Sequence, residues 1–566
     1  MVNKINEKVL TWLLLAGSVF VSCFVWVGHA TDPVNAPKLF VIGTFSFGLL
    51  SLIVNFGIRI LWYSHRVMTV LVIGFFLACI NSIISSRAPW QQTIYGVYGR
   101  NSGFLLYFSA AMFLLGSLLL SHKESHGKLL NGLLIAGGVN IVYCLWVLSF
   151  GDPVPWNNTY KNILGLFGNP DFISAFLGIF ISAATAKLLA QSSTLIMKVL
   201  LGSGVTLAAF EIYKSHSIQG IFVTLGGLAL VIFFYLRGKF KSNIVPNFYA
   251  FIALAGGALA VLGMFQHGPL NFIYKKSVSL RGSYWKAGLK MGQDHPFSGV
   301  GLDTYGDWYR SARPPVALID TPGPTVHSNV AHNVVIDLFA SGGFPLLGFY
   351  LAIITVTLIS IVRIAKRSRT YDPIFVGLMS AWFGYQAQSV ISINQIGLAV
   401  WGWLLSGSLI GYEHITKKSD LFEAPVEKTR ISPKSRVKND VFSPQLIAGL
   451  GMVMGSLISI PPMSADIKWF NSLQTKDLAT FEIALQSSYL NPLNSSRLAN
   501  ASMTLLQSNF PDQAKKYALR GIKFNPDSFE SYFVLYGLPN ATVEEKQMAL
   551  GNMKRLDPNN PDVLHY

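Results

Sequence analysis

Apolar stretches of about twenty residues recur along this 566-residue chain, and nothing constrains its fold more. A helix needs roughly 20 residues to cross the ~30 Å hydrocarbon core of a bilayer. Inside that core each backbone N–H and C=O must be satisfied without water, which a helix achieves within its own segment. The stretches lie at about 10–30, 38–58, 67–86, 103–120, 129–150, 171–190, 194–212, 217–236, 247–266, 343–362, 374–393, 396–413 and 445–462. They predict an all-α, polytopic helical membrane protein with about 13 transmembrane helices. Charged residues make up 13% of the chain, about half the share usual in a soluble domain. The first stretch follows Lys4 and Lys8 as a signal peptide would, but it lacks a small-residue cleavage site. Its sequel "GHATDPVNAPK" leads straight into the next stretch, so it is expected to be retained.

A formal net charge of +17 invites a nucleic-acid reading, and the position of the charge argues against it. With the N-terminus cytoplasmic, the basic clusters Arg237–Lys241, Arg363–Arg369 and Lys417–Lys438 all fall on the cytoplasmic side. The short outer loops hold only Lys38, Arg87, Arg100, Lys161 and Lys214. That is the positive-inside bias of a membrane protein, so no nucleic-acid partner is expected. Cys23, Cys79 and Cys144 all lie inside spans and provide neither a disulfide framework nor a metal site.

Three regions break the rhythm of span and short loop, which divides the chain as follows. Residues 1–267 carry helices one to nine, 268–342 a long loop on the outer face, and 343–413 helices ten to twelve. Residues 414–444 form a basic cytoplasmic linker, 445–463 the last span, and 464–566 an outer tail. In the loop, "RGSYWKAGLKMGQDHPFSGVG" places Tyr284, Trp285 and Leu289 at helical spacing before "HPFSGVG" ends the helix. "DTYGDWYRSAR" suits a second short helix. In the tail "NP" recurs at 491 and 525 and "AL" at 484 and 518, each 34 residues apart, with "ALGNMKRLDPNNP" as a shortened echo. That period predicts a tetratricopeptide-like helical domain, with helices over 466–488, 495–508, 511–524, 528–537 and 541–555. Such units bury their apolar faces only against neighbours, and they bind or brace a partner.

No phosphate loop, Rossmann glycine pattern, G-x-S-x-G or H-E-x-x-H occurs. Neither "DD" nor "DxD" occurs, so paired carboxylates for a divalent ion are missing; no metal and no cofactor are expected. The outer face offers cations and histidines instead. Arg281 opens the loop helix, and His327 and His332 close the loop. Arg100 and Lys161 stand at outer ends of spans, and Lys214 and His216 lie between spans seven and eight. Guanidinium groups pair with phosphate oxygens through bidentate, charge-assisted hydrogen bonds. At a membrane surface they can hold a diphosphate leaving group, while a neutral histidine takes a proton from a hydroxyl. Plainer roles exist for each residue. Arg100 and Lys161 could snorkel to lipid headgroups, and His327 could serve only its Pro-rich turn. Glu211, an ionisable group at membrane depth, is a functional candidate by position or a partner of Lys214.

The segments "RGSYWKAGLKMGQDHPFSGVGLDTY" and "AHNVVIDLFASGGFPLLGFYL" resemble the O-antigen ligase and polymerase superfamily, whose long periplasmic loop ends in His-Asn before a span. "GLFGNPDFISAFLGI", "YGRNSGFLLY" and "SVISINQIGLAVWGWLLSG" resemble further segments of it, in a branch with a tetratricopeptide tail. The resemblance implies a class C glycosyltransferase-like fold in the bacterial inner membrane. It implies a metal-independent, inverting transfer of a glycan from undecaprenyl diphosphate to a hydroxyl at the periplasmic face. By position, His332 corresponds to the family's essential histidine and Arg281 to its essential loop arginine. Arg100, Lys161 and His327 are then candidate diphosphate ligands, with Asn333 in a supporting, capping place. The acceptor stays open among a lipid-linked core sugar, another glycan repeat and an exported protein, and the tail could hold a protein partner. A transporter or flippase would need midplane charges and inverted repeats, which the sequence lacks. A bare scaffold would not need so charged a loop.

Overall fold

The computed structural model describes residues 3–155, 158, 162–319, 327–422, 442–475 and 477–565. Lys161 and most of the expected 414–444 linker lie outside the described residues. Among those described there is no β-strand, and ten helices are long and apolar enough to cross a membrane. The other three expected stretches fall on helices Phe104–Leu118, Pro373–Ser389 and Ile396–Phe422. These three are buried by protein, with Trp382, Tyr385, Trp401 and Tyr412 all but sealed from solvent.

Where water and lipid are both excluded, polar groups must pair between helices. Trp401 Nε1 donates to Ser22 Oγ and Trp382 Nε1 to Ser406 Oγ, both at 2.7 Å. Glu7 of the first helix reaches across to the N-terminus of helix Lys123–Phe150. There it accepts from the backbone N–H of Ser121 and His122 and from Ser125 Oγ, satisfying donors that a helix start leaves free. Small residues set the contact between helices Asn35–Leu52 and Pro444–Thr475. A Cβ on Gly43 would stand 2.5 Å from Ser459 Cβ, and one on Gly455 2.6 Å from the Gly43 carbonyl oxygen. The last span is thereby fixed beside the second.

The loop forms helices Lys276–Asp294 and Tyr305–Ala312, with "HPFSGVG" between them. The following helix Val334–Arg367 begins nine residues before the expected span and breaks at Gly343 (φ 63°, ψ −160°). The break frees carbonyls that the "HPFSGVG" segment takes up. Val300 N–H donates to the Ala340 carbonyl at 2.9 Å and Gly301 N–H to that of Ser341 at 3.1 Å. Phe344 N–H in turn donates to the Pro296 carbonyl at 2.8 Å. The short helical stretch 334–342 thus belongs to the loop and the remainder to the span.

The tail differs from expectation at its start. Instead of one helix over 466–488, the span helix runs on through Pro461 and Pro462 to Thr475, and a new helix Leu478–Ala484 begins at Asp477. The Asp477 carboxylate accepts from Thr480 N–H at 2.8 Å, and such a cap starts a helix afresh. Helices Ser495–Gln507, Pro511–Phe524, Phe529–Gly537 and Val543–Leu556 follow within a residue or two of expectation. They share a core of their own that includes Leu498, Tyr517, Leu535 and Met553.

Candidate active site

His332 ends the loop in a left-handed backbone conformation (φ 54°), which is uncommon for any residue with a side chain. Two neighbours hold it there. Asn333 accepts from the N–H groups of Val335 and Ile336 at 3.0 and 3.2 Å, capping the helix that follows. Asp337, one turn into that helix, accepts the Ala331 N–H at 2.6 Å. The turn is closed from both sides, and the half-buried imidazole lies against the Tyr284 ring, centroids 5.5 Å apart and 27° from parallel. Tyr284 is set in turn by Tyr305, whose hydroxyl donates to its carbonyl at 2.6 Å.

Burial, then the positive charges of Arg100 and Arg281, push the His332 pKa down to about 3. Three residues separated by more than 230 positions of sequence therefore act on one another in space. The imidazole is neutral at physiological pH, the form that can accept a proton.

Arg281 lies on the loop helix and approaches Asp171, Nη2 to Oδ2 3.6 Å. Asp171 belongs to "GNPDF", where Asn169 caps helix Pro170–Leu188 by accepting the Asp171 N–H at 2.8 Å. Ser217 Oγ fixes the other Asp171 oxygen at 2.5 Å. At 3.6 Å and partly exposed, the Arg281–Asp171 contact is loose, which leaves guanidinium N–H groups for another anion. Arg100 makes no side-chain hydrogen bond or ion pair among the described residues, though Asp303, Asp32 and Asp337 act on it electrostatically.

Asp303 is a further group of the site, one that its local sequence does not mark. Its buried carboxylate accepts from the N–H of Val97 at 2.7 Å and of Ser102 at 3.0 Å. It thereby clasps the two ends of the turn that presents Arg100. Desolvation raises its pKa to about 6, against the pull of those two hydrogen bonds and of Arg100.

Other candidates stand apart. His327 is exposed and lines a cavity with residues of the tail. Arg310 and Arg313 of the loop are taken up by the tail: Arg313 Nη2 lies 2.7 and 2.6 Å from the two oxygens of Asp557. Glu211 is buried with both carboxylate oxygens unpartnered, and Lys214 lies over the Phe210 ring instead of pairing with it. Among the described residues no three His, Cys, Asp or Glu side chains gather in a metal-binding group.

The fold and this cluster define a polytopic helical membrane protein with a cationic, histidine-bearing loop folded onto its spans. Residues 177–351 match the family model described as O-antigen ligase. That match supports the resemblance to the O-antigen ligase superfamily seen in the sequence, and with it a membrane-bound, glycan-transferring class; it does not reach the tail. No curated protein matches the chain.

Proposed function

We propose that the protein transfers a glycan from undecaprenyl diphosphate to an acceptor hydroxyl at the periplasmic face of the bacterial inner membrane, inverting the anomeric carbon without a metal. The observation that carries this reading is a neutral His332 flanked by the positive charges of Arg100 and Arg281. Arg281 and Arg100 hold the donor diphosphate by charge-assisted hydrogen bonds. The acceptor oxygen attacks the anomeric carbon from the face opposite the leaving group, and a new C–O bond forms there. The bond from that carbon to the phosphate oxygen breaks, and its electron pair leaves with the lipid diphosphate, whose charge the guanidinium groups neutralise. His332 takes the hydroxyl proton.

One consequence follows from the electrostatics. The two cations that depress the basicity of His332 are the ones that bind the diphosphate. A bound diphosphate cancels their field, so His332 becomes a better base when the donor is in place. Proton transfer is thereby tied to donor occupancy.

The test compares envelope glycans made with the wild-type protein and with His332→Ala at matched expression. General-base removal typically costs 10²–10⁴-fold in rate, so long glycans should leave their acceptor and accumulate on the lipid carrier. An unchanged glycan profile would remove His332 from the chemistry. The acceptor left bare separates a ligase from a protein transferase, and a single repeat left on it marks a polymerase.

A further inference from the structure

The cavity beside His327 has a volume of about 650 Å³ and lies between the loop and the tail. Pockets of this size commonly take small ligands, with an apolar lining and a few placed polar groups. Here the apolar lining is Phe529, Phe533, Met553 and Val563. Phe529 and Phe533 sit one helical turn apart with rings 17° from parallel and centroids 6.4 Å apart. Arg310 covers the Phe529 face at 4.1 Å, whereas Phe533 is 49% exposed and offers a flat apolar surface.

The polar lining fixes the charge of the occupant. The cation in the wall, Arg310, is neutralised by Glu530 at 3.1 Å and Asp557 at 3.5 Å. Among the described residues no unpaired arginine or lysine lines the cavity, so it is unsuited to phosphate, in contrast to the Arg100–Arg281 end. What remains is the Asp562 carboxylate and the imidazoles of His327 and His565, none of them hydrogen-bonded through its side chain among the described residues. Carboxylate and imidazole acceptors beside an aromatic face suit hydroxyl groups carried on a C–H-rich ring.

The cavity is also close to the candidate chemistry. Arg310 follows Tyr309, whose ring contacts Tyr284 at 5.6 Å, and Tyr284 lies 5.5 Å from His332. Two ring contacts therefore lead from the cavity wall to the imidazole.

We propose that this cavity is an acceptor subsite, taking a neutral, hydroxyl-rich oligosaccharide that extends from Phe533 and Asp562 toward His332. The assignment rests on the transferase reading above.

The test uses the full-length protein in detergent and, as probe, the neutral oligosaccharide released from the bacterium's own envelope glycolipid. Hydrogen exchange of helices Phe529–Gly537 and Val543–Leu556 is followed as the probe is titrated. Saturable protection is expected, weakened at least tenfold by Phe533→Ala and by Asp562→Asn and retained by Phe533→Tyr. In transfer assays the two weakening variants should raise the acceptor KM with kcat and the donor KM unchanged. Thermal melting of each variant excludes loss of the tail fold. Unchanged protection and acceptor KM in both variants overturn the proposal. Protection by a Ser/Thr-rich exported polypeptide, and not by the oligosaccharide, overturns it in favour of a protein ligand. Protection by the oligosaccharide with no glycan transfer by the wild-type protein overturns the acceptor role and the transferase reading, while leaving a sugar-binding cavity.

Discussion

At the scale of single residues, the ionisation of Asp303 and His332 makes an unusual pH prediction. An acid limb near pH 6 in an enzyme with an essential histidine would ordinarily be assigned to that histidine. Here His332 stays neutral down to about pH 3, while the Asp303 carboxyl is held up at about 6. A pKa raised above its unfolded value means that the folded state loses stability as pH rises from about 4 through 6. It also means that the Asp303 share of the negative charge acting on Arg100, beside that of Asp32 and Asp337, is present only above about 6. Transfer measured against pH should therefore fall below about 6, and Asp303→Asn should abolish that limb while lowering the rate throughout. A limb that survives in Asp303→Asn would assign the titration to Asp337, whose carboxyl burial raises to about 7, or to His332. His332 and Arg281 stand among the sequence candidates because the family resemblance marks their positions, although the loop helix begins at Lys276 and not at Arg281. Asp303 was not legible, because its partners, the N–H groups of Val97 and Ser102, lie some 200 positions away.

At the scale of elements, the break at Gly343 decides where the loop ends. Its φ of 63° with ψ −160° is a conformation tolerated by glycine alone, and a Cβ would stand 2.2 Å from the Pro296 carbonyl oxygen. Gly343→Ala should therefore cost more than the roughly 1–3 kcal/mol of backbone strain by itself. It should also displace "HPFSGVG" from the carbonyls of Ala340 and Ser341. Gly348→Ala, on the same helix with open space around its added carbon, is the control and should be neutral in thermal melting. Equal melting of the two variants would show that the kink is not needed. The apolar run from Val334 onward is plain in the sequence, but "SGGFP" alone does not say that residues 334–342, up to the break, are helical too. That depends on the loop helix packing onto them, a contact between segments about fifty residues apart.

At the scale of the whole molecule, the repeat visible in the tail is also its means of attachment. The three repeat positions are Asn491, Asn525 and Asp557. Asn491 accepts from Arg497, which lies over the Tyr98 ring; Asn525 Nδ2 reaches Asp307 Oδ2 at 3.4 Å; and Asp557 receives Arg313 and Arg310. A period read as internal stacking thus lines up three contacts against the loop and the turn that carries Arg100. Asp557 and Arg313 are both fully buried, and removing one partner of such a pair costs about 3–5 kcal/mol because the other charge is stranded. Replacing both by apolar groups of similar size is often neutral. Asp557→Ala should accordingly free the tail to proteolysis and lower transfer, since the Arg310-bearing helix Tyr305–Ala312 loses its brace next to Tyr284. Arg313→Met combined with Asp557→Leu should restore much of the protease resistance. If the double variant instead fails as badly as the single one, the ion pair has a part beyond holding the tail in place. Gln92 Nε2 donates to the Asp303 carbonyl and to Asp307 of the braced helix, at 3.2 and 2.9 Å, so the acid limb near pH 6 should shift in Asp557→Ala and return in the double variant.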